Sequence, residues 1–267
     1  MMSNVESGPV ILKFGGTSVG DTEAIGRLVR HVAAARQRQT VVVVVSALSG
    51  ITDRLFQLAS AAAAGDEAAI RAGIVELQER HARVARQVAA DPDSLTELMT
   101  GELAELRNLL HAVATLKDAS PRTRDAIAAF GELLSSHIVE GACAASGLQA
   151  VWIDPRRVLV TNDTFGSALP LMAETAAAAA AHLAPALAEG RVPVIGGYVG
   201  ATADGVTTTL GRGGSDYSAA ILGAAVDATE IQIWTDVDGM MTADPRIVSS
   251  THVVPRLSFD EASELAY

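Results

Sequence analysis

The apolar positions of the chain alternate between two spacings, which predict alternating strands and helices. Pro9–Phe14 and Thr40–Ser46 are short runs of β-branched and other apolar residues, and the second contains five consecutive valines. Uninterrupted runs of this kind are typical of strands buried on both faces, as in a parallel sheet. Between them, Thr22–Gln37 spaces its apolar residues three or four positions apart, which predicts a crossover helix. The N-terminal segment therefore predicts a βαβ unit.

Residues 53–147 follow a helical pattern almost throughout. Glycine and proline positions divide this segment into four predicted helices, Asp53–Ala63, Asp66–Ala90, Ser94–Leu116 and Arg122–Ala145. The middle two have charged outer faces and apolar inner faces. This pattern predicts a helical hairpin packed on an α/β body.

Strand patterns return after residue 147, at Leu148–Ile153, Val158–Thr161, Val192–Ile195, Val206–Thr209 and Glu230–Thr235. An alanine-rich helix is predicted at Ala173–Glu189, with Pro185 bending its last turn, and another begins at Asp216. Ser258–Tyr267 predicts the opening of a further helix, without a stop signal. The alternation favours an α/β fold with a mostly parallel, open sheet.

Composition narrows the classes of protein and partner. The 267 residues are 49% hydrophobic and 19% charged, which is enough apolar material for a sizeable core. A net charge of −11 argues against binding to nucleic acid or to an anionic membrane. No apolar run is long enough to span a bilayer, and the single Cys143 excludes an internal disulfide. We therefore expect a cytoplasmic protein without nucleic-acid or membrane partners.

The segment Gly211–Asp216 is the most informative local feature. Three of its residues are glycines, so its backbone can approach a ligand closely, and it opens the predicted helix, whose N-terminus favours anions. Arg212 and Asp216 place opposite charges around this turn. The combination suits a ligand with both a carboxylate and an ammonium group, such as an amino acid. The alternative is a tight strand-to-helix connection without a ligand.

Lys13–Ser18 follows the first predicted strand, where α/β sheets bind ligands. Gly15 and Gly16 allow a tight turn toward phosphate oxygens, and Lys13 can stabilise a transferred phosphoryl group. The alternative is a strand-ending turn with a surface lysine. Neither a Walker A loop nor a dinucleotide-binding glycine pattern is present in the sequence.

Trp234–Arg246 is a third candidate segment, rich in carboxylates and threonines after a predicted strand. Such a loop can hold ribose hydroxyls and phosphates, or can be a polar turn only. Together with three further motifs, these segments closely resemble the aspartokinases, members of the amino-acid kinase superfamily. The six matching segments occur in the family's order, at Lys13–Ser18, Ser46–Thr52, Gly131–Ser136, Asn162–Gly166, Thr207–Asp216 and Trp234–Arg246.

The resemblance implies a three-layer αβα sandwich around a largely parallel eight-stranded sheet, with residues 53–147 as a helical insertion. It implies an N-terminal tail at 1–8 and one kinase domain at 9–267. Within this domain, an aspartate-binding lobe would span about 9–190 and a nucleotide-binding lobe about 191–267.

The implied reaction is ATP-dependent phosphorylation of the β-carboxylate of L-aspartate to 4-phospho-L-aspartate, the entry to lysine, threonine and methionine. The acceptor carboxylate is already ionised at neutral pH, so no general base is needed. Mg²⁺ is expected to arrive with ATP, held by phosphates and water rather than by protein ligands. The resemblance also allows a homodimer.

Site residues carry over from the resemblance position by position. Lys13 and Asp216 would be catalytic, with Asp216 serving either the aspartate or the metal-phosphate region. Arg212 would hold the α-carboxylate of aspartate and Glu132 its ammonium group, and the pocket is completed by Thr52 and Ser215. Nucleotide contacts are implied for Lys13, Gly15, Gly16, Thr235, Asp236, Met241, Asp244 and Arg246. Structural alternatives are a solvated Glu132 and a Thr52 that only caps a helix.

The chain departs from the family pattern at two places. Met241 stands where many aspartokinases have tyrosine, and the sequence ends before a Phe-Gly-Ala-Lys-Val-Leu-His-Pro segment and the C-terminal ACT domains. A second interpretation is therefore a catalytically weak amino-acid- and nucleotide-binding fragment of a longer or bifunctional aspartokinase. Relatives acting on glutamate, acetylglutamate, carbamate or UMP are a third, which Gly211–Asp216 and Trp234–Arg246 disfavour.

Overall fold

The computed structural model describes residues 8–244, 246–248 and 250–266. These residues form two compact units, one that ends at Trp234 and one that begins at Thr235.

The first unit is built on a five-stranded, fully parallel sheet. Its strands in spatial order are β3, β5, β2, β1 and β8, with bounds Ala150–Ile153, Val192–Gly196, Val41–Val45, Val10–Phe14 and Glu230–Trp234. Every residue of β1, β2 and β5 is buried. This burial explains why the valine run shows no polar alternation, because helices cover both faces of the sheet.

Alternate residues of the central strands belong to two different cores. Val43 and Val45 face the larger core, which they share with apolar residues of α1 to α5. Val42 and Val44 face a smaller core, which they share with residues of α6 and α8. The helices bounding these layers are α1 Thr22–Arg36, α2 Ile51–Ala63, α3 Glu67–Val88, α4 Pro92–Leu116, α5 Pro121–Ala145, α6 Met172–His182, α7 Ala184–Ala188 and α8 Gly214–Ala225. The order of layers is therefore helix, sheet, helix.

Side-chain caps define the helical insertion. The carboxylates of Asp66 and Asp91 accept hydrogen bonds from backbone amides in the first turns of α3 and α4, and the Ser120 hydroxyl caps α5 in the same way. Pro92 and Pro121 are the first residues of α4 and α5, where a missing amide hydrogen costs nothing. Helices α4 and α5 therefore begin slightly earlier than the sequence predicts, as α2 does, whereas α3 begins one residue later. The four predicted helices are confirmed.

The α/β class and the largely parallel sheet are confirmed, and the eight described strands form two sheets. Three short strands, β4 Val160–Thr161, β6 Val199–Thr202 and β7 Thr207–Thr209, make a separate sheet in the order β4, β6, β7. The sequence does not predict β6, because two glycines precede it and Gly200 interrupts its apolar pattern. The predicted alanine-rich helix is divided into α6 and α7 just before Pro185.

The second unit contains one short helix, α9 Phe259–Ala266, within its described residues. Ser258 and Glu261 form a reciprocal cap, because the Glu261 amide donates to the Ser258 hydroxyl and the Ser258 amide donates to the Glu261 carboxylate. Met241 and Val253 form an antiparallel bridge. The predicted helix at Ser258–Tyr267 is confirmed as far as residue 266. None of the helices described in either unit is both long and apolar enough to cross a bilayer.

Two helical glycines are expected to respond oppositely to the same substitution. A Cβ atom on Gly131 would lie 2.9 Å from the Ala47 Cβ, whereas one on Gly101 would meet nothing within 4 Å. Gly131→Ala should lower the free energy of unfolding by about 1–3 kcal/mol through overpacking. Gly101→Ala should raise it by about 0.5–1 kcal/mol, because alanine favours an open helical position.

Urea unfolding of the two variants beside the parent chain checks this expectation. A stabilised Gly131→Ala would show that α5 does not pack tightly against the loop after β2.

Candidate active site

The candidate site lies at the carboxyl ends of β1, β2 and β5, where the loops after these strands meet the N-terminus of α8. A Cβ atom on Gly16, after β1, would lie 3.1 Å from the Ala47 carbonyl oxygen, after β2. A Cβ atom on Gly197, after β5, would lie 2.8 Å from the Ser215 Cβ in α8. Glycine at these positions lets the loops approach closely, at the edge where α/β sheets bind ligands.

Lys13 and Asp216 are joined directly. The Lys13 Nζ lies 2.7 Å from the Asp216 Oδ1, and the lysine side chain is 8% exposed whereas that of the aspartate is 53% exposed. A buried lysine needs a nearby negative charge, and Asp216 supplies it from the first turn of α8. The two residues predicted as catalytic are therefore brought together, with the ammonium group inside and the carboxylate at the surface.

The turn after β1 is closed by backbone contacts. The Gly15 amide donates to the Trp234 carbonyl oxygen at 3.1 Å, and residues Gly16–Ser18 form one turn of 3₁₀-helix. A Cβ atom on Gly15 would lie 3.6 Å from the Lys13 Nζ. Gly15 thus lies beside the Lys13 ammonium group, and its amide is already engaged within the protein.

Glu132 is the electrostatically unusual residue of the site. It is 3% exposed on α5, and its Oε2 atom accepts no hydrogen bond from any described residue. Burial raises the pKa of Glu132 from 4.5 to about 8, although the Ala47 and Glu132 amides and the Lys13 charge act in the opposite direction. The structure contradicts a solvated helical glutamate. It shows a buried carboxylate with one oxygen, Oε2, that has no hydrogen-bond partner among the described residues.

The surroundings of Glu132 form a continuous wall. The Ser135 hydroxyl donates to the Ser46 carbonyl oxygen at 2.7 Å and fixes α5 against the end of β2. A Cβ atom on Gly196 would lie 3.1 Å from the Glu132 Cβ. Since Gly197 in turn contacts Ser215, the wall runs from α5 over the end of β5 to α8.

Thr52 and Arg212 are at the border of this wall. Thr52 is half-buried in the first turn of α2, whose Ile51 lies near Gly131. Arg212 is exposed and forms no ion pair with any described residue. Its guanidinium group therefore has its donors available for a carboxylate.

The turn that carries Arg212 has the backbone expected for an anion site. Gly211 and Gly213 adopt left-handed conformations with φ of 79° and 69°, and α8 begins at the next residue. No side chain caps the N-terminus of α8. Its first amide groups and its dipole are therefore directed at the same space as Lys13.

The residues predicted to contact nucleotide beyond the first turn belong to the second unit. Arg246 and Asp244 pair with each other, with the Arg246 Nη2 2.7 Å and the Arg246 Nε 3.0 Å from the Asp244 carboxylate oxygens. This pairing lowers the pKa of the Asp244 carboxyl group. The Thr235 hydroxyl donates to the Asp236 carboxylate at 3.1 Å, and the Met241 backbone bridges Val253.

Two residues near the site, the buried Asp125 and the half-buried Tyr198, were not singled out from the sequence. Asp125 is 2% exposed on α5, seven residues before Glu132, a spacing that places both on one helical face and was a usable signal. Tyr198 follows the glycines that end β5 and has a φ of 66°, which is unusual for a residue other than glycine. A Cβ atom on Gly214 would lie 2.6 Å from the Tyr198 ring. No simple pattern in the sequence announces this backbone conformation.

Metal-binding groups are sparse. Among the residues that the structure describes, no cluster of three or more histidine, cysteine, aspartate or glutamate side chains could hold a metal ion. Carboxylates at the site occur singly, as Asp216 does beside Lys13.

The chain is similar to known aspartokinases. The chain is 38% identical over 262 residues to lysine-sensitive aspartokinase 3 of Escherichia coli, an alignment that covers 96% of this chain and 55% of that protein. It is 34% identical over 265 residues to an aspartokinase of Chlamydia muridarum, covering 99% and 56% of the two chains. The chain thus spans about half the length of these relatives.

A solved structure shows the same fold. The crystal structure of E. coli aspartokinase III in complex with aspartate and ADP superposes with a TM-score of 0.88 at 37% identity, over 96% of this chain and 56% of that one. The family model described as the amino acid kinase family matches residues 8–267. On this match over nearly its whole length, the chain belongs to the amino acid kinase family.

Proposed function

We propose that the chain transfers the γ-phosphoryl group of ATP to the β-carboxylate of L-aspartate, forming 4-phospho-L-aspartate for lysine, threonine and methionine synthesis. The observation that carries this proposal is Glu132, a buried carboxylate with an unpartnered oxygen close to the Lys13–Asp216 pair. A buried charge of this kind is costly unless a ligand completes it. Similarity to aspartokinases, one of them solved with aspartate and ADP, gives the ligand its identity.

An amino-acid ammonium group can supply the hydrogen-bond donor that the Glu132 Oε2 atom lacks. It brings a positive charge and three N–H donors, and so it would stabilise the ionised carboxylate that burial disfavours. Acceptors in which the amine is acylated bring neither the charge nor the donors. Glu132 therefore selects for an unmodified amino acid.

Arg212 is the second anchor of the proposed substrate. It is exposed and without an ion pair in the described part of the chain, and its planar fork matches a carboxylate in two parallel hydrogen bonds. Binding of the α-carboxylate there and of the ammonium group at Glu132 would hold the amino acid at two points. Thr52 and Ser215 would complete this pocket, and the β-carboxylate would be left free to react.

The chemical step needs alignment and charge neutralisation more than proton transfer. An oxygen of the β-carboxylate forms a bond to the γ-phosphorus, and the bond from that phosphorus to the β–γ bridging oxygen breaks, so that ADP leaves with the electron pair. Lys13, held by Asp216, would neutralise charge on the transferred group, and Gly16 and the first amides of α8 would lie beside it.

The nucleotide assignments extend this proposal to the second unit. Thr235, Asp236, Met241, Asp244 and Arg246 would contact ATP, with the lobe boundary near residue 190. Mg²⁺ would supply charge neutralisation on the phosphates. Isolated carboxylates such as Asp216 fit an ion held mainly by phosphates and water. A homodimer and a cytoplasmic location complete the proposal and rest on the family resemblance and on the sequence.

A second candidate function is binding of the amino acid and nucleotide without turnover. The observation that favours it is the coverage, since the matched relatives are about twice as long as the aligned part. The same anchors would then hold ligands, and phosphoryl transfer would need residues outside this stretch of sequence.

Trapping of the acyl phosphate with hydroxylamine tests the reaction directly. With Mg-ATP, we expect hydroxamate from L-aspartate, at least about tenfold less from L-glutamate, and none from N-acetylglutamate. Lys13→Ala should reduce the rate about 100-fold or more, because the charge on the transferred group loses its partner. Lys117→Ala removes an exposed lysine in the helical insertion and should leave the rate unchanged.

Three outcomes separate the candidates. Product from N-acetylglutamate or a preference for L-glutamate would contradict the proposed substrate. Binding of aspartate and ATP, measured by calorimetry, without product from any acceptor would establish the second candidate function. Equal loss in Lys13→Ala and Lys117→Ala would show that Lys13 has no special role.

A stability measurement tests the state of Glu132 without any ligand. Burial raises the pKa of Glu132 to about 8 in the folded chain. Between about pH 5 and pH 8, the folded chain therefore keeps a proton on this carboxyl group that the unfolded chain has already lost. The free energy of unfolding of the parent chain should therefore fall relative to that of Glu132→Gln as pH rises through this window. The gap, defined as the free energy of unfolding of Glu132→Gln minus that of the parent chain, should increase by about 2–4 kcal/mol.

Urea unfolding at pH 5.5, 7.0 and 8.5 measures this gap. Glu97→Gln, at an exposed position of α4, is the matched control and should show no growth of the gap with pH. A gap for Glu132→Gln that stays constant across the range would show that the carboxylate has a partner in the free protein.

A further inference from the structure

Asp125 has its hydrogen-bonding capacity filled by two segments from elsewhere in the chain. Its Oδ2 accepts from the Gly166 amide and from the Thr209 amide, both at 2.9 Å. Its Oδ1 accepts from the Thr209 hydroxyl at 2.8 Å. Asp125 is 2% exposed, and no ion pair involves it in the described part of the chain. Three donors thus stabilise a carboxylate that has left water.

The two segments that Asp125 joins lead directly into the candidate site. Thr209 is the last residue of β7, and the turn from Gly211 to Asp216 follows after Leu210. Gly166 ends the motif Asn162–Gly166, which was singled out from the sequence and has no role in the proposed reaction. The contact with Asp125 suggests a structural role for this motif, because the amide of its last residue, Gly166, is one of the three donors to the Asp125 carboxylate.

Further contacts fasten the motif to the turn. The Ala168 amide donates to the Thr209 carbonyl oxygen at 2.9 Å. A Cβ atom on Gly211 would lie 3.1 Å from the Gly166 carbonyl oxygen, so the two backbones are in close contact. Movement at Gly166 or Thr209 would therefore be transmitted to the start of the turn that carries Arg212.

Tyr198 fastens the turn at its other end. Its carbonyl oxygen accepts from the Leu210 amide at 3.0 Å, and its own amide donates to the Ser218 hydroxyl of α8 at 2.8 Å. Its ring lies against Gly214 at the start of α8. The turn is therefore held by Asp125 through Thr209 on one side and by Tyr198 on the other.

Helix α5 relates this network to Glu132. Asp125 and Glu132 are seven residues apart, two helical turns, and therefore lie on one face of α5. One carboxylate has three donors within the protein and the other has an unpartnered oxygen. A rigid helix thus fixes the distance between the Glu132 carboxylate and the strand that leads to Arg212.

We propose that Asp125 is a positioning residue for aspartate binding, which fixes the Gly211–Asp216 turn and its Arg212 relative to Glu132. The inference rests on the proposed function for its substrate. Asp125 touches neither substrate nor nucleotide in this account. It acts through Gly166 and Thr209, and its loss leaves two backbone amides and a hydroxyl without an acceptor.

Two readouts on the whole chain test this role. Hydrogen exchange measured by mass spectrometry reports the order of residues 162–168 and 207–216, and steady-state kinetics give KM separately for aspartate and ATP. The variants are Asp125→Ala, Asp125→Asn and, as a control of comparable destabilisation, Leu110→Ala in the buried face of α4.

Asp125→Ala should increase exchange in both segments and raise KM for aspartate about tenfold or more, with KM for ATP changed less than about twofold. Asp125→Asn should recover most of the loss, because its carbonyl oxygen can accept from both amides and its amide group can donate to the Thr209 hydroxyl. Leu110→Ala should leave exchange in the two segments and both KM values close to those of the parent chain.

Unchanged exchange in Asp125→Ala would overturn the proposal, as would a parallel rise of both KM values or the same pattern in Leu110→Ala. The proposed function fails separately, if the parent chain itself neither binds nor phosphorylates aspartate. The exchange comparison then still decides whether Asp125 fixes the turn.

Discussion

The arrangement of the site depends on a buried glutamate, one of whose carboxylate oxygens has no hydrogen-bond partner among the described residues. Glu132 lies on α5, against the ends of two parallel strands, where water cannot solvate its carboxylate. Burial that is not compensated inside the protein costs free energy, and it creates affinity for a ligand that brings a positive charge and N–H donors. The Lys13–Asp216 ion pair and the turn that carries Arg212 are interpreted in relation to this carboxylate.

The charges of the site are divided between elements that the sheet holds in place. Lys13 belongs to a central strand and Asp216 to the first turn of α8, so their ion pair joins the sheet to the helix. Arg212 projects from a turn whose glycines adopt left-handed conformations. In the proposed reaction, these groups together with Glu132 would neutralise both ends of the amino acid and the phosphoryl group between two anions.

Sequence patterns were sufficient for most of the helices and strands, although not for β6. The Val41–Val45 run, the proline and glycine breaks and the N-capping side chains are local signals, and the strand and the helices follow them. The glycine turn at Gly211 was recognisable because few other residues allow its left-handed backbone. The ion pair between Lys13 and Asp216 was not predictable from spacing, since it joins residues that only the folded sheet brings together.

The burial of individual side chains and their hydrogen-bond partners could not be predicted from the sequence. Glu132 and Asp125 look alike as helical carboxylates, yet one has an oxygen without a partner and the other accepts three hydrogen bonds. The division of the described strands into sheets of five and three is a matter of pairing between residues far apart in the sequence. Tyr198 takes its unusual conformation from packing against α8, which no local pattern encodes.

The most direct test of the account is a carbon-13 NMR titration of the Glu132 carboxyl carbon, with Glu132→Gln for assignment. In the free chain, we expect a midpoint near a pKa of about 8. Saturating L-aspartate should move it to below about 6, whereas succinate, which lacks the ammonium group, should not lower it. A midpoint near 4.5 in the free chain, or one that aspartate leaves unchanged, would contradict the claim that the substrate ammonium completes this buried carboxylate.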